Sequence, residues 1–301
     1  MGTTYNIKIV DHNKFIEKDI IKRDIDSILN KINNIFSTYI DSSEIKKFNN
    51  WNSVKPFQAS PYFSYMVEKA LYFNNITDET YDMTIKPLLD LWGFSDNYTY
   101  SMIPDSNHID RILEYVGANH IRIKDNYIIK NKPNVKLDFN AIVKGDAVDK
   151  INDYLTNKNY FDFLVEIGGE IIVSGKNKSN KKWDIGILSP ELNNNELFEA
   201  ISITDKAIAT SGTYNNYFTY EDIKYSHIIN PKTGYPIEHD LVSATIIADN
   251  CITADAIATS IMVKGAKQGI DWLNKMEGIE GMLIARKDSN YSISKSNNFI
   301  Y

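Results

Sequence analysis

The chain has 301 residues, 43% hydrophobic and 24% charged, with 33 basic against 39 acidic side chains and a net charge of −6. That length allows one large core or two smaller ones, and the acidic balance argues against nucleic acid as a main partner, because no basic excess is available to neutralise phosphates. The single cysteine, Cys251, excludes an internal disulfide framework and any multi-cysteine zinc site, and no apolar run is long enough to span a membrane.

In chain order, "TYNIKIV" alternates as an opening strand. The stretch around it has no basic start followed by an apolar run, so it does not read as a signal peptide. From Ile20 to Phe36, apolar residues recur at three- and four-residue steps (Ile21, Ile25, Ile28, Ile32, Ile35), the pattern of an amphipathic helix. A second helix is predicted from Ser60 to Phe73, with Pro61 in its first turn. A short helix follows "YDMTIKP", and another covers Asp110 to Val116. "HIRIKDNYIIK" reads as a hairpin turning at Asp125-Asn126, and "VKLDF" as a strand running into a helix that begins near Ala141.

The second half is richer in strands: "FDFLVEI", "EIIVSG", "WDIGIL", "AISIT", "AIATSG", "NYFTY" and "VSATIIAD". Gly168-Gly169 and Lys176–Lys182 mark turns or loops. Helices over Ile252–Val263 and Ala266–Met276 precede a closing hairpin through "GMLIARKDSNYSISKS". With no repeat, no flexible linker and no strict alternation of strand and helix, the expected class is α+β, with mixed or antiparallel sheets flanked by helices. A single domain over residues 1–301 is expected, with room for two closely packed subdomains.

Several stretches spend polar residues or glycine where a plain core would not. "YDMTIKPLLDLWGF" joins Asp82 and Thr84 to the aromatics Trp92 and Phe94. "LDFNAIVKGDAVD" places Asp138, Lys144 and Gly145 at the start of a helix, where free backbone N–H groups favour phosphate. In "NCITADAIATSIMVKG", Asp255 and Thr259 lie four residues apart, on one face of an otherwise apolar helix. Taken singly, each has an ordinary explanation. Gly168-Gly169 reads as a hairpin turn, "NPKTGYP" as a loop, Trp92 and Phe94 as core, and His227 as a structural histidine. An aspartate inside an apolar helix needs a partner if it is buried, and Asp255 is open to either reading.

The set in its order is more specific than its parts. "MGTTY", "FSTYIDSSEIKKFN", "YDMTIKPLLDLWGF", "LDFNAIVKGDAVD", "VEIGGEIIVSG", "IATSGTYNNYF", "SHIINPKTGYP" and "TADAIATSIMVKG" together resemble the ApbE family, the FAD:protein FMN transferases, from Met1 to about Gly265. The resemblance implies an ApbE-like fold with FAD in a central cleft. It implies FAD contacts at Met1, Tyr39, Thr80, Tyr81, Asp82, Asp138, Lys144 and Ile229. It implies magnesium held by Asp255 and Thr259 through their side chains and by Ala141 through its carbonyl. Oxygen ligands from a carboxylate and a hydroxyl suit such a hard cation, and disfavour zinc. The sequence departs from the usual family pattern at Asn230 (commonly aspartate before the proline), at Thr213, at Phe139-Asn140, and at Ala258, where some members carry a further acidic ligand.

The expected reaction is transfer of the FMN moiety of FAD to a Thr or Ser hydroxyl of an acceptor flavoprotein subunit carrying a Ser/Thr-Gly-Ala-Thr-like motif, with release of AMP. His227 is the expected general base, since imidazole suits that task, and Lys144 the group that steadies the phosphates. Two alternatives are an FAD pyrophosphatase giving FMN and AMP, and a non-catalytic FAD-binding protein. The resemblance further implies a place in the cell envelope, in the periplasm or on the outer face of the cytoplasmic membrane, held to the membrane only through an N-terminal lipid anchor that this chain does not show.

Overall fold

The alternation that opens the chain does become a strand, and its partner lies far along the sequence: Tyr5–Ile9 pairs antiparallel with Phe163–Ile167. The computed structural model describes residues 2–10, 16–95, 103–190, 197–214, 216–287 and 290–299. Met1, expected to touch flavin, lies outside them. The chain divides into two compact units, one comprising Met1–Lys31, Ala141–Asn215 and Asp240–Tyr301, the other Ile32–Asn140 and Asn216–His239.

The first unit is built on a seven-stranded sheet in the order Tyr5–Ile9, Phe163–Ile167, Glu170–Ser174, Lys206–Gly212, Leu241–Ala248, Glu280–Lys287, Asn290–Lys295, antiparallel at every pairing. One face presents Leu164, Val173, Ile208, Ile247, Met282 and Ile284 to a separate ribbon, Trp183–Leu188 with Leu197–Ile203, which contributes Trp183, Ile185, Ile187, Ile201 and Ile203. The Cys251–Lys264 helix packs on the strands Lys206–Gly212 and Leu241–Ala248. It is buried nearly all round, which explains why its sequence is apolar on every side and shows no amphipathic stripe. Asn250 caps it, accepting from Thr253 N at 3.0 Å, and the Asp149 carboxylate accepts from Cys251 N at 2.7 Å and Ile252 N at 2.9 Å. Three of its otherwise unsatisfied N–H groups are thereby met.

The second unit gathers Phe36, Phe48, Phe63 and Phe139 into one aromatic core around the helix Pro61–Ile76, with Phe36 and Phe63 stacked at 5.7 Å and Phe139 edge-on to both. A three-stranded sheet, Phe57–Gln58, Tyr127–Lys130, Ile121–Lys124, includes the expected hairpin, with Asp125 at φ 53° in its turn. A second core holds Leu88, Trp92, Phe94, Ile109 and Ile229.

Two expectations are corrected, and one element was not expected. "VKLDF" is no strand. Val135, Leu137 and Phe139 are buried as the alternation required, but the backbone of Leu137 is paired by the Asn49 amide (Leu137 N to Oδ1, 2.7 Å; Nδ2 to Leu137 O, 2.9 Å), and Asp138 N donates to Met83 O at 2.7 Å. A side chain and a lone carbonyl do the work of a neighbouring strand. The helix expected at Asp110–Val116 starts earlier, as Ser106–Leu113, because Asp105 caps it through His108 N at 2.9 Å. The six-residue helix Glu44–Asn49, capped by Ser43, had no expectation, being too short for periodicity.

Candidate functional site

Within the first unit, the helix Asn140–Asn157 and the helix Cys251–Lys264 touch at Gly145. A Cβ there would lie 2.5 Å from the Cys251 carbonyl oxygen and 2.7 Å from the Ile252 Cα, so only glycine lets the two backbones come this close. Gly145 N donates to Asp255 Oδ2 at 3.1 Å. In an α-helix the N–H of residue 145 points at the carbonyl of residue 141. The Asp255 carboxylate is therefore bonded to the helical turn that begins at Ala141. Thr259 follows one turn along from Asp255, its hydroxyl 3.2 Å from Ser211 Oγ on the neighbouring strand.

Asp255 is 2% exposed, and its carboxyl is held above the usual carboxylate range by burial, against the pull of Lys144 and the Gly145 N–H. Lys144 pairs with Glu170, and its ammonium lies 4.0 Å from Asp255 Oδ1. Burial alone would lower the lysine; Asp255 and Glu170 outweigh it and hold the ammonium protonated, well above its ordinary value. Glu170 is raised to about 7 by burial and then by Asp255, in spite of Lys144.

The donor types fit a hard divalent cation: carboxylate, hydroxyl and carbonyl oxygens, without thiolate or imidazole. Among the described residues no group of three or more His, Cys, Asp or Glu is placed to hold a metal. A cation here would rely on one carboxylate and two neutral oxygens and keep several waters, which is magnesium's habit.

The second unit brings together the other motifs. Asp82 accepts from four donors: Thr84 N (2.7 Å) and Thr84 Oγ1 (2.6 Å) on one oxygen, Ala118 N (3.0 Å) and Asn74 Nδ2 (3.2 Å) on the other. Burial holds it above the usual range, opposed by these bonds. The carboxylate thus clamps its own turn to the segment at Gly117-Ala118, and Gly117 N in turn donates to Thr84 Oγ1 at 2.6 Å. Asp138, whose N–H reaches Met83 O, accepts from Asn140 N (2.8 Å) and Nδ2 (3.0 Å) at the start of the helix Asn140–Asn157. The "YDMT" and "LDFN" motifs accordingly lie side by side. Thr80 bonds back to Thr77 O at 2.8 Å, Tyr81 is buried with its ring 6.1 Å from that of Phe73, and Tyr39 is 67% exposed.

Trp92 Nε1 donates to Gly234 O at 2.8 Å, and Phe94 packs on the His227 ring at 6.4 Å. "LWGF" is core, as its plain reading has it, and it supports the "SHIINPKTG" loop. Gly234 has φ 78°, and a Cβ there would lie 2.5 Å from Ile109 Cγ2, so the turn needs glycine. Asn230 stabilises the same loop by accepting from Lys232 N at 2.9 Å. Ile229 is 4% exposed and bridges to Pro236. His227 Nδ1 is 2.8 Å from Asn216 O. A carbonyl only accepts, so Nδ1 carries the proton, and a neutral ring keeps its basic lone pair on Nε2.

A model of the ApbE family matches residues 1–283. The chain belongs to the ApbE family. It is 35% identical over 299 residues to the FAD:protein FMN transferase of Vibrio cholerae serotype O1, covering 99% of this chain and 89% of that protein. It is 32% identical to the protein of the same name from Haemophilus influenzae, over 99% and 88%. Among solved structures, flavin transferase ApbE from Vibrio cholerae superposes with a TM-score of 0.90 at 34% identity, covering 99% of this chain and 95% of that one. The apo form of Pseudomonas stutzeri flavinyl transferase ApbE gives 0.91 at 28% identity, over 99% and 93%.

Of the residues expected from the sequence, Ala141, Lys144, Asp255 and Thr259 all lie in the first unit, where Lys144 stands 4.0 Å from Asp255. Tyr39, Thr80, Tyr81, Asp82, Asp138, His227 and Ile229 lie in the second. Sequence reasoning missed Glu170 and Ser211. Both stand in motifs that it singled out, "IGGE" and "ATSG", but they read there as strand residues.

Proposed function

We propose that this protein transfers the FMN moiety of FAD to a Thr or Ser hydroxyl of an acceptor flavoprotein. Family membership supports the reaction class, and one observation carries it to this chain: Asp255 bonded to Gly145 N, in the helical turn that begins at Ala141, with Thr259 one turn along from Asp255. Those three residues would hold magnesium, which supplies neutralisation of charge on the FAD pyrophosphate. Lys144, kept cationic by its carboxylate neighbours, steadies the same phosphates.

The hydroxyl oxygen of the acceptor forms a bond to the FMN-side phosphorus, and the bond from that phosphorus to the bridging oxygen of AMP breaks. The hydroxyl proton passes to His227 Nε2, for which the Nδ1–H tautomer is suited. The Met1, Tyr39, Thr80–Asp82, Asp138 and Ile229 positions are assigned to FAD binding on the family resemblance. A Ser/Thr-Gly-Ala-Thr-like acceptor motif and a place in the cell envelope rest on the same ground. No helix of the described residues is long and apolar enough to cross a membrane.

Mass spectrometry of an acceptor carrying that motif, after incubation with the protein, FAD and magnesium, tests the reading. The expected result is an adduct of one FMN per acceptor with stoichiometric AMP. Free FMN with an unmodified acceptor would mark a pyrophosphatase. Bound FAD with no turnover would mark a binding protein.

A further inference from the structure

Glu170 follows the Gly168-Gly169 turn and is 2% exposed. Its Oε1 accepts from Lys144 Nζ, while Oε2 is buried with no hydrogen-bond partner among the described residues. A carboxylate kept half-satisfied inside a protein calls for an explanation. The Lys144 ammonium is shared unequally: bonded to Glu170, yet 4.0 Å from Asp255 Oδ1, beyond hydrogen-bond distance. Asp255 Oδ2 is already engaged by Gly145 N, so Oδ1 is the oxygen left for a further cation.

We propose that Glu170 is a positioning residue that holds the Lys144 ammonium off Asp255, leaving Asp255 Oδ1 for a divalent cation. The proposal rests on the reading of Asp255 as a metal ligand. Two cations compete for one carboxylate oxygen. Lys144 reaches two carboxylates among the described residues, so with the Glu170 charge removed the stronger remaining attraction is to Asp255. The ammonium then closes into a charge-assisted hydrogen bond on Oδ1 and shuts the metal out. Glu170 in this way sets metal affinity without ligating the metal.

The test is titration of the full chain with manganese as a spin-active substitute for magnesium, followed by electron paramagnetic resonance without FAD. It uses Glu170→Gln, Lys144→Met, the double variant and Asp255→Ala, with circular dichroism to check folding. Glu170→Gln should weaken manganese binding by about 10- to 100-fold, the usual effect of losing a residue that orients a ligand. The double variant should recover to within a few-fold of wild type, because no ammonium remains to compete. A merely structural role would show no such rescue. Lys144→Met alone, informative even if Glu170→Gln fails to fold, should bind at least as tightly as wild type.

Wild-type affinity in Glu170→Gln would overturn the proposal, as would weaker binding in Lys144→Met. A double variant as weak as Glu170→Gln would make Glu170 a ligand itself and overturn it equally. Unchanged binding in Asp255→Ala would remove the metal assignment on which the proposal stands. Failure of FMN transfer with manganese binding as expected would strike the proposed reaction alone.

Discussion

Asp255 is a carboxylate that a stable core would not choose, buried in an apolar helix and held by one N–H and a distant ammonium. Its removal should cost activity and spare the fold, since Lys144 keeps Glu170 as its partner. Asp255→Ala is expected to abolish magnesium-dependent turnover with an unchanged circular dichroism spectrum. Turnover measured across a magnesium titration checks this, and wild-type rates at equal metal would refute it. At His227 the expectation is a loss of about 10²–10⁴ in single-turnover transfer for His227→Ala with FAD affinity retained, because a general base acts on the rate. A collapse of FAD affinity with normal residual transfer would make His227 a binding residue.

At the scale of elements, the crossing of two helices at Gly145 carries the site. Gly145→Ala should destabilise the protein by about 1–3 kcal/mol, as overpacking does, since the added methyl meets backbone that cannot rotate away. The same substitution should weaken metal binding by moving the N–H that holds Asp255; urea unfolding and metal titration read the two effects separately. Asp149 anchors the other end of the contact. Asp149→Ala removes the acceptor of two helix N–H groups and should cost about 1–2 kcal/mol. Burial, opposed by those two N–H groups, raises Asp149 from 3.8 to about 7. The folded chain therefore binds the proton more tightly than the unfolded one. The resulting contribution to stability is full below pH 3.8 and is lost as pH rises through about 7. Denaturant midpoints measured across that window should fall with pH in the wild type and flatten in Asp149→Asn.

At the scale of the molecule, the first unit is assembled from three stretches of chain and the second from two. The strand Tyr5–Ile9 covers the edge of Phe163–Ile167, a strand carrying buried Phe163, Val165 and Ile167. A chain lacking residues 2–10 should expose that edge and self-associate, because an uncovered apolar strand is a template for further pairing. Light scattering at increasing concentration would show it, and a monodisperse monomer would contradict it.

Most elements could be read from periodicity, because burial repeats every 3.6 residues along a helix and every two along a strand. Ile21, Ile25 and Ile32 lie on the buried stripe of a helix as their spacing requires, and the opening strand alternates as it should. The sequence also determined the family, through eight short motifs in one order. Tertiary structure alone decided which partners those residues have. "VKLDF" has the alternation of a strand, yet its partner is the Asn49 side chain, 88 residues away. Glu170 occupies an ordinary strand position after a turn, and its buried pairing is with Lys144, which lies on a helix 26 residues earlier. Local spacing dictates which way a side chain points, but the groups that meet it there come from distant parts of the chain, and packing alone brings them into contact.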